Sequence, residues 1–354
     1  MLPGFLKMTG KRATIKDIAK MANVSVSAVS MTLNNRPGIG SEKRQKIIKI
    51  ARENGYRPSL VAKALVSKRS YIIGLVVNDI SDHFFAELAK GVEETARQYG
   101  YNTILCTTNG NLETQKEYLN TLRSRGVDGI IISTAVAEAF HFDFLIDEKI
   151  PFVCINRIPL IPSLGNKTEY IIMDNYSAGY KGIEHLWRLG HDKIAIITGA
   201  LNASNAIASL KGCKAALKDL GLKIPPRYIK EGKYSRQEAF LIAERLMKSK
   251  NPPSAIFAHD DNMALGAREA ILRSGLEIPG DISLMGIDDI EIGALTGIEL
   301  TTICQKKYEM GTMGVNILVN QIEKRVPRMV EKIVLDAELI IRKTCGYHEY
   351  GYKR

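Results

Sequence analysis

Beyond Tyr71 the chain alternates short β-branched runs with stretches of helical spacing, and this alternation restricts the fold more than any other feature. Eight runs carry it, at 72–77, 102–106, 129–132, 151–155, 170–173, 193–197, 254–258 and 282–286. They are apolar along most of their length instead of alternating in polarity, as strands buried on both faces are. Helical stretches separate most of them, and strand–helix–strand repetition builds parallel sheets. Eight such strands fit one closed barrel or two open sheets. The Pro- and Gly-bearing loop 156–169 divides them four and four, which favours two lobes. A strand at 301–305, a helix at 306–323 and a strand at 333–341 are expected to cross back between those lobes.

The first 70 residues have a different texture. They hold 15 Lys and Arg against Asp17, Glu42 and Glu53, whereas the remaining 284 residues hold 34 basic and 35 acidic side chains. A concentrated positive field suits a polyanion, because neutralising phosphates releases condensed counterions. A disordered basic tail would lack apolar periodicity, and this segment has it. Thr14 reads as the N-cap of a helix that places Ile15, Ile18, Ala19 and Ala22 on one face. Asn23 tolerates the left-handed backbone of a tight turn, and Ser25 is placed to cap a second helix running to Leu33, with Val29 and Leu33 inward. A third helix from Ser41 buries Ile47, Ile50 and Ala51 and stops at Asn54-Gly55. Three short helices with a three-residue turn between the first two describe a helix-turn-helix unit. Residues 59–67 read as a further amphipathic helix, too short to stand alone where ~12–15 residues are marginal, so a partner is expected to order it.

Composition and motif exclude several classes of function. No stretch approaches the ~18 uncharged apolar residues needed to span a bilayer, and the N-terminus reads poorly as a signal peptide. Five scattered cysteines without a C-x-x-C pair fit thiols in a reducing cytoplasm. There is no G-x-G-x-x-G after a strand, no phosphate-cradling G-x-x-x-x-G-K-[ST], no G-x-S-x-G and no H-E-x-x-H. The six histidines show no metal spacing, so neither an enzyme, a cofactor nor a metal site is expected. His191, after Leu189-Gly190, reads as a turn residue, and Trp187 as core.

Open parallel sheets bind ligands beyond the carboxyl ends of their strands, and those ends are polar here. They run Asn78-Asp79, Asn156-Arg157, Asp174-Asn175, Thr198, His259-Asp260-Asp261 and Asp288-Asp289, with Phe84, Phe85 and Tyr234 in loops of the same class. Carboxylates beside aromatic faces suit a small polyol or sugar held between two lobes. Taken singly, each Asp is equally well a helix cap; the recurrence is what points to a site.

The segments TIKDIA at 14–19, NVS at 23–25, YRP at 56–58 and VAKAL at 61–65 closely resemble the lactose-repressor (LacI/GalR) family of bacterial transcription regulators. The likeness continues through Phe84-Phe85-Ala86-Glu87, DNMALG at 261–266 and GIDD at 286–289. It implies an α/β chain with a helix-turn-helix domain at 1–58, a hinge helix and linker at 59–70, and a periplasmic-binding-protein-like core of parallel sheets at 71–345. Lobe 1 is expected at 71–168 plus 304–331 and lobe 2 at 169–303 plus 332–345. It further implies a homodimer on a palindromic double-stranded operator, with Val26, Ser27 and Met31 at base-reading positions and Leu65 as a minor-groove wedge. The last base-reading position is often Arg or His in the family; Met31 offers only apolar contact. Thr14, Ser25, Ser30 and Asn34 stand where phosphate contacts are expected, with capping or packing as the competing role. Phe84, Phe85, Arg157, Tyr234, Asp260 and Asp288 stand at effector positions. The stretch 202–210, where members often supply an effector-binding arginine, carries no charge, though Asn205 and Ser209 keep hydrogen-bonding capacity. The implied function is a repressor of carbohydrate-use genes set by a small effector, with activation or a protein co-effector as the alternative. A stand-alone solute-binding protein would lack the basic head, and a nucleotide-dependent enzyme would carry a phosphate loop.

Overall fold

The computed structural model describes residues 13–33, 36–56, 69–134, 143–159, 168–323 and 330–346. The chain divides into two compact units, Met1–Ser70 and Tyr71–Arg354.

In the first unit, helices α1 (Ile15–Ala22), α2 (Val26–Leu33) and α3 (Ser41–Glu53) enclose a small core of Ile18, Ala19, Ala22, Val29, Ile47 and Ala51. Thr14 and Asp17 form a reciprocal capping box on α1. Asn23 adopts φ 55° and ψ 53°, which lets Val24 N bond back to Ala19 O at 3.0 Å and closes the helix in a tight reversal. Thr32 takes an inward place on α2, while Leu33 is only half-buried. The Arg44 guanidinium, from α3, donates to the carbonyls of Thr32 and Arg36 and fastens the end of α2 to the third helix.

The second unit begins β1 (Ile72–Val77), α4 (His83–Gln98), β2 (Asn102–Thr107), α5 (Leu112–Ser124), β3 (Gly129–Ile132), α6 (Asp143–Asp147), β4 (Phe152–Ile155) and β5 (Glu169–Met173). It continues α7 (Asn175–Arg188), β6 (Ile194–Thr198), α8 (Ser204–Asp219), β7 (Ile229–Glu231), α9 (Arg236–Met247), β8 (Ala255–Ala258), α10 (Asp261–Arg273) and β9 (Ser283–Asp288). It ends β10 (Thr301–Cys304), α11 (Lys307–Glu323), β11 (Lys332–Leu335) and β12 (Glu338–Ile340). Among the described residues these strands form two six-stranded sheets, ordered β11-β5-β4-β3-β1-β2 and β12-β10-β9-β8-β6-β7. All neighbours run parallel except β12 against β10.

The topology corrects the four-and-four division. Strand β5 pairs with β4, Val153 opposite Glu169, so it belongs to the first sheet, and the first crossing between sheets follows Met173, not the loop 156–169. That stretch of sequence therefore joins two neighbouring strands of one sheet and is not a lobe boundary. The single strand expected at 333–341 is two short ones, β11 on the first sheet and β12 on the second. The expected placement of 332–345 wholly in lobe 2 therefore fails at β11. Strand β7 has three residues behind Pro225-Pro226, too short for periodicity to reveal.

Helices α7 and α8 cross so closely that a Cβ on Gly179 would meet the Ser209 carbonyl, and one on Gly212 the Tyr176 carbonyl. His191 does more than turn the chain: its ring nitrogens lie 3.0 Å from Ser254 Oγ and 2.9 Å from Ser283 Oγ, locking two strand starts together. Trp187 is half-buried, not core. Among the described residues no helix is long and apolar enough to cross a membrane.

Candidate functional site

In the helical unit, α2 offers its first turn outward. Ser25, Val26 and Ser27 are exposed, whereas Ser30 and Met31 are half-buried. Ser25 Oγ accepts from Ala28 N at 3.1 Å, so it caps α2 as its position suggests. The Thr14 hydroxyl is engaged with Asp17, donating to Oδ2 at 2.7 Å. The capping role of Thr14 and Ser25 is therefore observed, and both stay at the surface. Met31 Cε approaches Gly38 closely enough to touch a Cβ placed there at 3.0 Å, which accounts for its partial burial. Asn34, Leu65 and the segment 59–67 lie outside the described residues. Lys16, Lys20, Lys43, Lys46, Lys49 and Arg52 are all exposed on this unit.

In the second unit, the carboxyl ends of β1 and β4 from one sheet and of β8 and β9 from the other open on one cavity of about 280 Å³. Phe84, Phe85, Arg157, Tyr234, Asp260 and Asp288 all line it. Asn205 reaches it indirectly, accepting from the Tyr234 hydroxyl at 2.9 Å. Phe84 and Phe85 sit in the first turn of α4, not in a loop, because Asp82 caps that helix by accepting from Phe84 N at 2.9 Å. Arg157 is 8% exposed, lays its guanidinium 4.8 Å from the Tyr234 ring centroid, and finds no hydrogen-bond partner for Nε among the described residues.

The backbone here is unusual. Asn156, Lys233, Tyr234, Asp288 and Asp289 all have positive φ without being glycine, and strain of this kind gathers where a side chain must be aimed. Gly199 is the complementary case, since a Cβ there would overlap the Tyr234 ring.

Electrostatically the cavity is acidic. Burial first, then repulsion from neighbouring carboxylates, raises the Asp260 and Asp288 carboxyls well above their ordinary range. Burial also raises Asp82. His259 lies 3.3 Å from Ser209 Oγ through Nε2, has no partner for Nδ1 among the described residues, and is pushed by burial down to about 3, so it is a neutral imidazole. Not every polar strand end joins the site. Asp174 caps α7 through Ser177 N, Asp261 accepts from Thr302 Oγ1 and Ile290 N, and Asp289 pairs with Arg342. Asp82 and Gln305 also line the cavity and are not among the residues expected there from the sequence. Asp82 was visible as the cap before Phe84, and Gln305 ends the strand expected at 301–305. Among the described residues no cluster of three or more His, Cys, Asp or Glu is placed to hold a metal ion.

Residues 14–59 match the model for bacterial regulatory proteins of the lacI family. Residues 70–341 match the model for periplasmic binding proteins and the sugar binding domain of the LacI family. Catabolite control protein A of Priestia megaterium is 32% identical over 312 residues, covering 88% of this chain and 93% of that protein. The transcriptional repressor PurR of Histophilus somni is 34% identical over 334 residues, covering 94% and 98%. A structure of the lac repressor dimer bound to operator and the anti-inducer ONPF aligns with a TM-score of 0.82 at 26% identity, covering 94% of this chain and 99% of that one.

Proposed function

The chain belongs to the LacI family of DNA-binding bacterial regulators, and from that premise we propose that it represses carbohydrate-use genes under the control of a sugar-sized effector. It acts in the cytoplasm as a homodimer, each helix-turn-helix unit reading half of a palindromic operator through the exposed turn at Ser25, Val26 and Ser27. Residues 1–58 form the DNA-binding domain, 59–70 the hinge, and 71–345 the two-lobed core. The cavity binds and does not turn over its ligand.

The observation that supports this best is the convergence of Phe84, Phe85 and Arg157 from one lobe with Tyr234, Asp260 and Asp288 from the other. A ligand touching both sets stabilises one relative placement of the lobes, and that differential contact is what couples it to operator affinity, typically by ~1–3 kcal/mol. At about 280 Å³ the cavity stands at the small end of ligand pockets, which run from ~300 to 1,000 Å³, so it fits one sugar ring better than several.

A thermal-shift screen against monosaccharides, disaccharides and sugar phosphates tests the reading. A monosaccharide hit that Asp288→Ala abolishes, and that alters anisotropy of a labelled operator, is the expected result. A hit indifferent to Asp288→Ala moves the site elsewhere.

A further inference from the structure

The depth of the interlobe cavity holds more negative charge and more acceptors than the protein itself balances. Asp260 and Asp288 are 4% and 6% exposed. Asp260 Oδ1 accepts from Met263 N and Asp288 Oδ1 accepts from the Gln305 amide, so each carboxylate keeps an oxygen with no hydrogen bond among the described residues. Gln305 donates Nε2 to that carboxylate, and its Oε1 is buried with no partner among the described residues. Half-buried Asp82 adds a third carboxylate to the same lining.

Two buried cations stand against these among the described residues: Arg157, already stacked on Tyr234, and Lys307, whose ammonium donates to the carbonyls of Asp288, Asp289 and Gln305 and is paired with Glu87 at 3.2 Å. Lys233 and Arg236 are exposed at the rim, where Arg236 pairs with Glu269 at 3.3 Å. Asp79, also at the rim, is occupied by the backbone and hydroxyl of Ser81. On α8 the adjoining buried side chains, Asn205 and Ser209, are neutral. His259 supplies nothing either, because burial keeps its ring uncharged. Water solvates this excess in the open cavity. A ligand that displaces the water meets it at low dielectric, where an uncompensated charge is costly and an anion costlier still.

We propose that the effector is a sugar-sized polyol carrying a primary ammonium group, seated between Asp260 and Asp288. An ammonium brings one positive charge and three donors and no acceptor, which matches two free carboxylate oxygens and the orphaned Gln305 Oε1. Hydroxyls on the rest of the molecule face Asp82 and Arg157 Nε, and its ring lies against Phe84 and Phe85. Burial and mutual repulsion raise the Asp260 and Asp288 carboxyls, and an arriving ammonium favours their ionised form, so binding is expected to release protons to the buffer. The inference rests on the cavity being the effector site, as proposed above.

Calorimetry on the full chain with three matched pairs tests it: D-glucosamine and D-glucose, D-galactosamine and D-galactose, D-mannosamine and D-mannose. At pH 7 at least one amino sugar is expected to bind tenfold or more tighter than its neutral partner. Titration in two buffers of different ionisation enthalpy is expected to show proton release for that amino sugar alone. Asp288→Asn, or Asp260→Asn should the first variant fail to fold, is expected to cut the preference at least fivefold. Neutral sugars binding as tightly as amino sugars, or a preference that survives both variants, overturn the proposal and leave the site in place. No binding by any of the six sugars contradicts the site itself, and the proposal falls with it.

Discussion

Tyr234 donates its hydroxyl to Asn205 Oδ1 at 2.9 Å while its ring carries the Arg157 guanidinium at 4.8 Å. One phenol thereby joins a residue following β4 in the first lobe to a residue on α8 in the second. Its backbone is held at φ 60°, and the missing Cβ of Gly199 makes room for the ring. A ligand entering the cavity beside Tyr234 adds to, or competes with, this bridge.

Tyr234→Phe removes the hydroxyl and keeps the ring. Effector affinity is expected to fall about fivefold, the worth of one hydrogen bond of ~1 kcal/mol. Gly199→Ala, which drives a methyl into the ring, is expected to cost more than the phenylalanine change in the same titration. Equal Kd values for all three proteins would show that the bridge plays no part in binding.

Lys307 is 2% exposed, yet its ammonium donates to the carbonyls of Asp288, Asp289 and Gln305 and pairs with Glu87 at 3.2 Å. It pins the turn where Asp288 and Asp289 have φ 119° and 55°. Lys307→Met leaves those buried carbonyls short of a donor, and a loss of ~2–4 kcal/mol in urea unfolding is expected. A change within ~0.5 kcal/mol, typical of an ordinary surface site, would contradict that role.

His259 gives a pH signature. Its ring is neutral in both states above about pH 6.5; below that, only the unfolded chain takes up the proton until the native ring titrates near 3. Stability therefore rises with pH through this window. The carboxylates with raised values act in the opposite sense, but they are common to wild type and variant and cancel in the comparison. Relative to His259→Gln, the wild type is expected to lose about 2 kcal/mol between pH 7.5 and pH 5. A pH-independent difference would show that the native ring takes up its proton in the ordinary range.

Thr14 separates two roles in one experiment. Loss of its capping box in Thr14→Ala is expected to destabilise the helical unit by ~1 kcal/mol. Should the hydroxyl also touch a phosphate, operator affinity falls about equally at all salt concentrations, because a neutral donor releases no counterion. Melting loss without any affinity loss assigns Thr14 to capping alone.

The parallel sheets were legible because runs such as 129–132 and 194–197 are apolar throughout, which leaves a strand little choice but burial on both faces. The polar residues at their ends marked the cavity for the same reason, since only a strand end reaches solvent. What escaped was set by tertiary pairing. Residues 169–173 look the same whether they add to the first sheet or start the second, and only the register against β4 decides. Asp289 and Asp260 read alike in sequence, yet one is consumed by Arg342 and the other faces the cavity. Gln305 carried only its place at a strand end, because its value lies in the orientation of one amide.

The most direct test is operator binding by the full chain as salt rises, on a duplex selected from a random pool. A palindromic site is expected, with affinity falling roughly a thousandfold between 50 and 200 mM salt as several phosphate contacts are screened. The steepness should vanish when residues 1–70 are removed. Binding that ignores salt, or that persists undiminished in the chain beginning at Tyr71, would contradict the assignment of DNA recognition to the basic helical unit.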